Sequence, residues 1–169
     1  MGLYNSARAV IVGCAALGLL VGCTSTRIVG AHPLAQAGGG SATVYFLRPP
    51  AERRMGFPDN PLAVDLNQEK LMDLGRGEYT VVQVVARDML VTLRNQTEAG
   101  PVWAVKDMER QYPFTFKAGE TYYLVIRPVD GEFRGVFFRP EMVDRATAQQ
   151  VALQLHAAGP ARSAPLPAP

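Results

Sequence analysis

Over most of the stretch between Ala42 and Arg139 apolar residues recur at every second position, and turn-forming residues cut the runs at short intervals. A strand points successive side chains to opposite faces, whereas a buried helix face needs a repeat near 3.6 residues, so this stretch must fold as strands. Ala42 to Arg48 is rich in β-formers and stops at Pro49-Pro50. Leu62, Val64 and Leu66 alternate with Ala63 and Asp65, and Asn67-Gln68-Glu69 reads as a turn that returns through Lys70 to Leu74. Gly75-Arg76-Gly77 breaks the chain before the β-branched run Tyr79 to Val85, which Ala86-Arg87-Asp88 ends. Met89, Val91 and Leu93 share one face of the next run, and Tyr112, Phe114 and Phe116 share one face of another. Lys117 to Glu120 turns into Thr121 to Arg127, and Asp130-Gly131 is a hairpin signal before Phe133 to Arg139. About 7–8 short strands with evenly spaced turns, and no alternation with helices, predict an all-β sandwich.

One helix is expected after the strands. Pro140 suits a first helical turn, Glu141 and Asp144 suit the positive end of a helix dipole, and the following residues are rich in Ala, Gln and Leu up to Gly159-Pro160. The reading is a C-terminal helix over about residues 140–158, packed on the sandwich or across an open sheet edge. Residues 159–169 are rich in Pro and Ala and read as a disordered tail.

The N-terminus has a different character. Arg8 is followed by Ala9 to Val21, which is apolar or small throughout. As a helix this run is about 20 Å long, short of the hydrocarbon core of about 30 Å, and it fits the apolar part of an export signal. Leu20-Val21-Gly22-Cys23 then resembles the lipobox of bacterial lipoproteins: an aliphatic residue, a tolerant position, a small residue and cysteine. The resemblance implies that the Cys23 sulfur receives a diacylglyceryl group and that the chain is cut before it, so residues 1–22 leave as a signal peptide. Ile11-Val12-Gly13-Cys14 also fits the pattern, but only Ala9 and Val10 separate it from Arg8, which leaves no apolar run. On this reading the mature chain keeps no free thiol, and its stability must come from its core. Thr24 follows the cysteine where an aspartate would favour inner-membrane retention, which points to the outer membrane, facing the periplasm. Residues 23–41 become the lipidated cysteine and a flexible tether through Gly38-Gly39-Gly40, with a coil span of about 23–25 Å. Residues 42–158 form the single folded domain.

Chemistry-bearing motifs are scarce. The two histidines, His32 and His156, lie in the expected tether and near the expected helix end. No zinc set and no Ser–His–Asp arrangement can be assembled from them within the strand framework. The net charge of +2, with arginines scattered along the chain, gives no field for nucleic acid. Asp65 and Asp73 fall on adjacent strands of one hairpin and would face each other at outward positions. The connection from Gln96 to Glu109 carries the single tryptophan, Trp103, with Lys106, is followed directly by Arg110, and is long for a loop in a compact domain. These three residues are the candidate partner-binding loop, because tryptophan is enriched at binding hot spots. Arg53 and Arg54, and Arg127, Arg134 and Arg139, are further candidates for an anionic partner or for the polar face of edge strands.

The segment Ala42-Thr43-Val44-Tyr45-Phe46-Leu47-Arg48-Pro49 resembles the opening of a bacterial family, the domain of unknown function number twenty-eight forty-six, which contains many small envelope lipoproteins. Val64-Asp65-Leu66-Asn67, Gly77-Glu78-Tyr79 and Ala118-Gly119-Glu120-Thr121-Tyr122-Tyr123-Leu124 are similar to later segments of that family, in order. The hairpin departs from it in having no glycine after Asn67. The resemblance implies an immunoglobulin- or transthyretin-like sandwich and brings no catalytic residues. The expected function is a membrane-anchored envelope lipoprotein, non-enzymatic, serving as a binding or structural accessory module without cofactor or metal. Its partners would be the membrane, through lipid on Cys23, and an envelope protein or glycan, with no nucleic acid. The alternatives are a lipoprotein subunit of a secretion or other envelope machine, and a hydrolase of cell-wall material using Asp65 and Asp73.

Overall fold

The computed structural model describes residues 26–28, 40–50, 60–100 and 104–169. Ten strands occur among them: β1 Arg27–Ile28, β2 Ser41–Arg48, β3 Leu62–Leu66, β4 Glu69–Leu74, β5 Glu78–Val85, β6 Asp88–Ala99, β7 Ala104–Thr115, β8 Thr121–Asp130, β9 Val136–Val143 and β10 His156–Ala157. One α-helix, α1, spans Arg145–Ala152, and short 3-10 turns occupy Glu132–Arg134 and Gly159–Arg162. The strands form two five-stranded sheets, in the orders β1-β4-β3-β6-β7 and β10-β5-β2-β8-β9. Pairing is antiparallel except for β2 with β8 and β10 with β5, which are parallel.

The period-two pattern decides which side chains fill the space between the sheets. Ala42, Val44 and Phe46 from β2 meet Leu62, Val64 and Leu66 from β3, with Met89, Val91 and Leu93 from β6 and Leu124 and Ile126 from β8, all buried in one core. A second apolar layer lies on the outer face of the other sheet, where α1 and the C-terminal segment cover Leu47, Tyr79, Val81 and Val125 with Ala148, Leu155, Ala161 and Leu166. The expected two-sheet β-sandwich with a C-terminal helix packed on it is therefore present, with ten strands, two of them only two residues long.

Several boundaries differ from the sequence reading, each for a physical reason. The helix is shorter than residues 140–158, because Pro140 to Val143 belong to β9. The backbone groups of Val136 and Phe138 bond to β6 and β7 side chains rather than to β8, so Pro140, two residues further along, places its missing N–H on that same outward edge. Asp144 is the helix N-cap and accepts from the Thr147 backbone N–H at 2.7 Å. The stretch from Gln96 to Glu109 is not a loop: apart from Gly100 and residues 101–103 it is the far half of β6 and the start of β7. Its strands hide from a period-two search because β7 is exposed on both faces from Ala104 to Asp107. The expected disordered tail is packed instead. Ala161 and Leu166 are buried, and Gln149 Nε2 donates to the Pro167 carbonyl at 2.8 Å and the Ala168 carbonyl at 3.2 Å. Part of the expected tether is strand β1, whose Arg27 and Ile28 pair with Asp73 and Met72.

Candidate functional site

The far halves of β6 and β7 form an arm. β3 pairs with β6 only from Val91 to Arg94, so Asn95 to Ala99 continue past the body of their sheet. The arm bends onto the β8–β9 hairpin of the other sheet. Thr97 Oγ1 accepts from the Val136 N–H at 2.9 Å, Asn95 Nδ2 donates to the Val136 carbonyl at 3.0 Å, and Tyr112 Oη donates to the Phe138 carbonyl at 2.8 Å. These bonds saturate edge groups of β9 that no strand among the described residues reaches. Burial raises the Tyr112 phenol above its ordinary value, opposed by the nearby Arg139 and Arg110. Gly135 makes the close approach possible: a Cβ there would lie 2.5 Å from Thr97 Cγ2, and its φ of +87° suits glycine.

Along the arm, β7 is a free edge. The Asn67 N–H donates to the Leu90 carbonyl and the Leu90 N–H donates to Asn67 Oδ1, both at 2.9 Å, so the backbone groups of Leu90 face β3. Its partner in the ladder, Pro113, therefore turns its backbone away from β6. By the same alternation so do Val105, Asp107, Glu109, Gln111 and Thr115. Among the described residues no strand lies beyond them. By strand alternation the side chains of these residues lie on the outer face and those of Lys106, Met108, Arg110 and Tyr112 on the other, from which Arg110 and Tyr112 reach Phe137 and Phe138 of β9. The edge thus carries acidic residues on one face, Asp107 and Glu109, and basic residues on the other, Lys106 and Arg110.

The outer face of this arm borders a groove of about 780 Å³. One cross-strand row forms its floor, Asp73–Ala63–Arg94–Glu109, contributed by β4, β3, β6 and β7 in turn. Ala63 is the small residue in that row and leaves the depression, while Asn60, Gln96 and Asp107 stand at its end. Arg94 Nη2 lies 2.8 Å and 3.0 Å from the two oxygens of buried Asp65, and Lys70 Nζ lies 2.8 Å from Asp73 Oδ2. The groove is lined by apolar and polar groups together, and its charged side chains, Asp73, Asp107 and Glu109 with Arg94, include more carboxylates than cations.

The candidate residues from the sequence separate on this framework. Lys106 and Arg110 lie on one face of β7, and the Arg110 guanidinium sits 5.1 Å from the centroid of the Phe137 ring. Trp103 lies outside the described residues, as do Cys23, Arg53 and Arg54. Asp65 and Asp73 are not opposed: a bulge between Val64 and Asp65 sets Asp65 against Lys70 and Asp73 against Ala63, and each carboxylate is held by its own cation. Arg127 pairs with Glu141 at 3.1 Å on the opposite sheet. Arg48 is the residue that motif reading undervalued. It is 2% exposed, its Nη1 donates to the carbonyls of Asn60 at 3.0 Å and Leu74 at 2.7 Å, and its guanidinium sits 5.0 Å from the centre of the Phe138 ring. The signal that finds it is parity, since Arg48 shares the core-facing side of β2 with Ala42, Val44 and Phe46.

Among the described residues no group of His, Cys, Asp or Glu could hold a metal ion. No family model, no curated protein and no solved structure matches the chain.

Proposed function

We propose that the protein is a lipid-anchored lipoprotein of the bacterial outer membrane, and that its periplasmic sandwich is a non-enzymatic module that binds another envelope protein. The observation that carries the anchoring is the run Leu20-Val21-Gly22-Cys23 at the end of a short apolar segment. The ordered resemblance of residues 42–124 to an uncharacterised family rich in envelope lipoproteins supports the same reading. Binding is supported by the β7 edge, which presents a row of backbone donors and acceptors beside the groove, the arrangement that accepts an added strand. Charge selects the partner. Antiparallel pairing of β7 with a second copy would set Asp107 and Glu109 against each other on one face and Lys106 and Arg110 on the other, which like-charge repulsion opposes. A strand with basic residues on one face and acidic residues on the other fits instead.

Two experiments test the two halves. Metabolic labelling with a palmitate analogue should mark the wild-type chain, and Cys23→Ser should abolish the label and move the protein out of the membrane fraction; label that survives the substitution refutes anchoring at Cys23. A photo-crosslinking amino acid at Val105, which is 56% exposed beside the edge, should capture a defined envelope protein in living cells, whereas one at Leu153, the C-cap of α1, should not. Equal capture from both positions, or none from Val105, rejects the edge as the binding surface.

A further inference from the structure

The free edge of β7 has a definite length. Its outward N–H groups belong to Val105, Asp107, Glu109 and Gln111, and the next outward position is Pro113, which has no N–H to offer. At the other end β7 begins at Ala104. An added strand can therefore pair along residues 105–111, an ordinary strand length, and must stop at the proline. The charges on this stretch are left over from the fold. Asp65 and Asp73 are held by Arg94 and Lys70. Asp107 and Glu109 receive only neutral amides, from Gln96 Nε2 and Gln111 Nε2, each at 3.1 Å. Among the described residues no salt bridge forms at Lys106, Asp107, Glu109 or Arg110, and all four are exposed. Exposed charges need no partner for the fold, but their order decides which strand can lie beside them. Opposite charges across a strand pair attract and like charges repel.

We infer that the strand bound at this edge carries, in succession, an acidic, a basic, an apolar, a basic and an acidic residue. The inference rests on the edge-binding reading and specifies its partner. Laid along β7, such a strand sets acid against Arg110, base against Glu109, the apolar residue against Met108, base against Asp107 and acid against Lys106. The order is a palindrome, so it fits whichever way the strand runs. Met108 is half-buried between its charged neighbours and suits an apolar contact. The two basic side chains fall on the outer face, where Asp107 and Glu109 line the groove and small Ala63 leaves space for a long stem. The chain cannot supply this strand to another copy of itself, because no two of its basic residues stand two positions apart. The partner is therefore a different protein.

The test uses the full chain, extracted from membranes into a non-ionic detergent, and fluorescein-labelled peptides read by anisotropy. The matched peptide is Thr-Thr-Glu-Lys-Val-Lys-Glu-Thr-Thr. Its isomer, Thr-Thr-Lys-Glu-Val-Glu-Lys-Thr-Thr, has the same composition and net charge. The matched peptide should bind at least about ten-fold more tightly than the isomer. A third peptide, the matched one methylated on the backbone nitrogens of Lys-Val-Lys, cannot donate to the edge in either strand direction and should not bind. Equal binding of the first two with none of the third overturns the charge order and leaves edge binding standing. Undiminished binding of the methylated peptide overturns pairing at the edge itself. No binding of any peptide up to about 1 mM overturns the inference, while capture from Val105 judges the broader reading separately. Exchanging the edge charges, by Lys106→Glu, Asp107→Lys, Glu109→Lys and Arg110→Glu, should reverse the preference between the two isomers, which a loss of folding cannot do. An unreversed preference places recognition elsewhere and overturns the inference.

Discussion

Arg48 sits where the core-facing row of β2 runs out, and its guanidinium replaces the next apolar side chain with a plug that satisfies two carbonyls from neighbouring segments. Burying an arginine is tolerable only because those bonds and the Phe138 ring receive it. Arg48→Met keeps most of the volume but orphans both carbonyls, and should destabilise the fold by about 3 kcal/mol in urea denaturation. An unchanged denaturation midpoint would show that the plug is dispensable. A second residue works in the other direction. Asn67 and Gln68 both have positive φ, +49° and +71°, in the turn between β3 and β4. Such two-residue hairpin turns favour Asn followed by Gly, so Gln68→Gly should raise stability by about 0.5–1 kcal/mol. The missing glycine was visible in the sequence as a departure from the hairpin pattern. Arg48 was equally readable, since strict alternation from Ala42 already puts it on the buried face. What alternation does not reveal is which carbonyls it meets, because Asn60 comes from the bend before β3 and Leu74 from the end of β4, and no local pattern specifies their arrival.

At the scale of elements, composition misled where burial and period part company. Apolar alternation marks strands that bury one face, so β2, β3, β5 and β8 are plain in the sequence, whereas the arm half of β7 buries neither face and reads as loop. Its opposed charges are an edge-protecting pattern and make a direct prediction. In the register that sets Met108 against its own copy, Lys106 meets Arg110 and Asp107 meets Glu109. The double variant Lys106→Glu and Glu109→Lys leaves net charge unchanged but makes both faces complementary, and should make the domain of residues 26–169 dimerise in analytical ultracentrifugation; a monomer at every concentration contradicts the edge assignment. The helix fails for a different reason. Pro140 and Glu141 look like a helix start, yet they complete an edge strand, and the cap is Asp144. The Thr147 backbone N–H, followed by its hydroxyl, holds the Asp144 carboxyl below its ordinary value of 3.8. A lowered folded value means that the cap stabilises fully above the unfolded carboxyl's pKa and that this contribution fades as pH falls through the folded one. Asp144→Ala should therefore lower Tm at neutral pH, and the gap to wild type should close in acid; a gap that does not change with pH argues against the carboxylate as the cap.

Across the whole molecule, the two ends of the described chain stabilise one another. β1 closes one sheet beside β4, β10 closes the other beside β5, and the 3-10 turn from Gly159 packs next to Ile28. The C-terminal segment then runs over the outer face of its sheet, where Ala161 and Leu166 complete the layer begun by α1. A Pro/Ala-rich composition gives no periodicity from which to read this, because the segment packs irregularly and takes its order from the sheet beneath it. The helix alone has only eight residues, too few to persist without tertiary contacts, so the segment and the helix should stand or fall together. Removing residues 159–169 uncovers Leu47 and Val125, deletes the bonds from Gln149 to the Pro167 and Ala168 carbonyls, and should cost about 2–4 kcal/mol, chiefly from the lost burial of Leu166. Hydrogen exchange should show α1 amides losing protection while β2 and β8 keep theirs, and the truncated domain should bind an apolar dye that the intact one excludes. Full protection of α1 in the truncated chain would mean that the helix is held by Ala148 and its own cap alone, and that the last eleven residues are passengers.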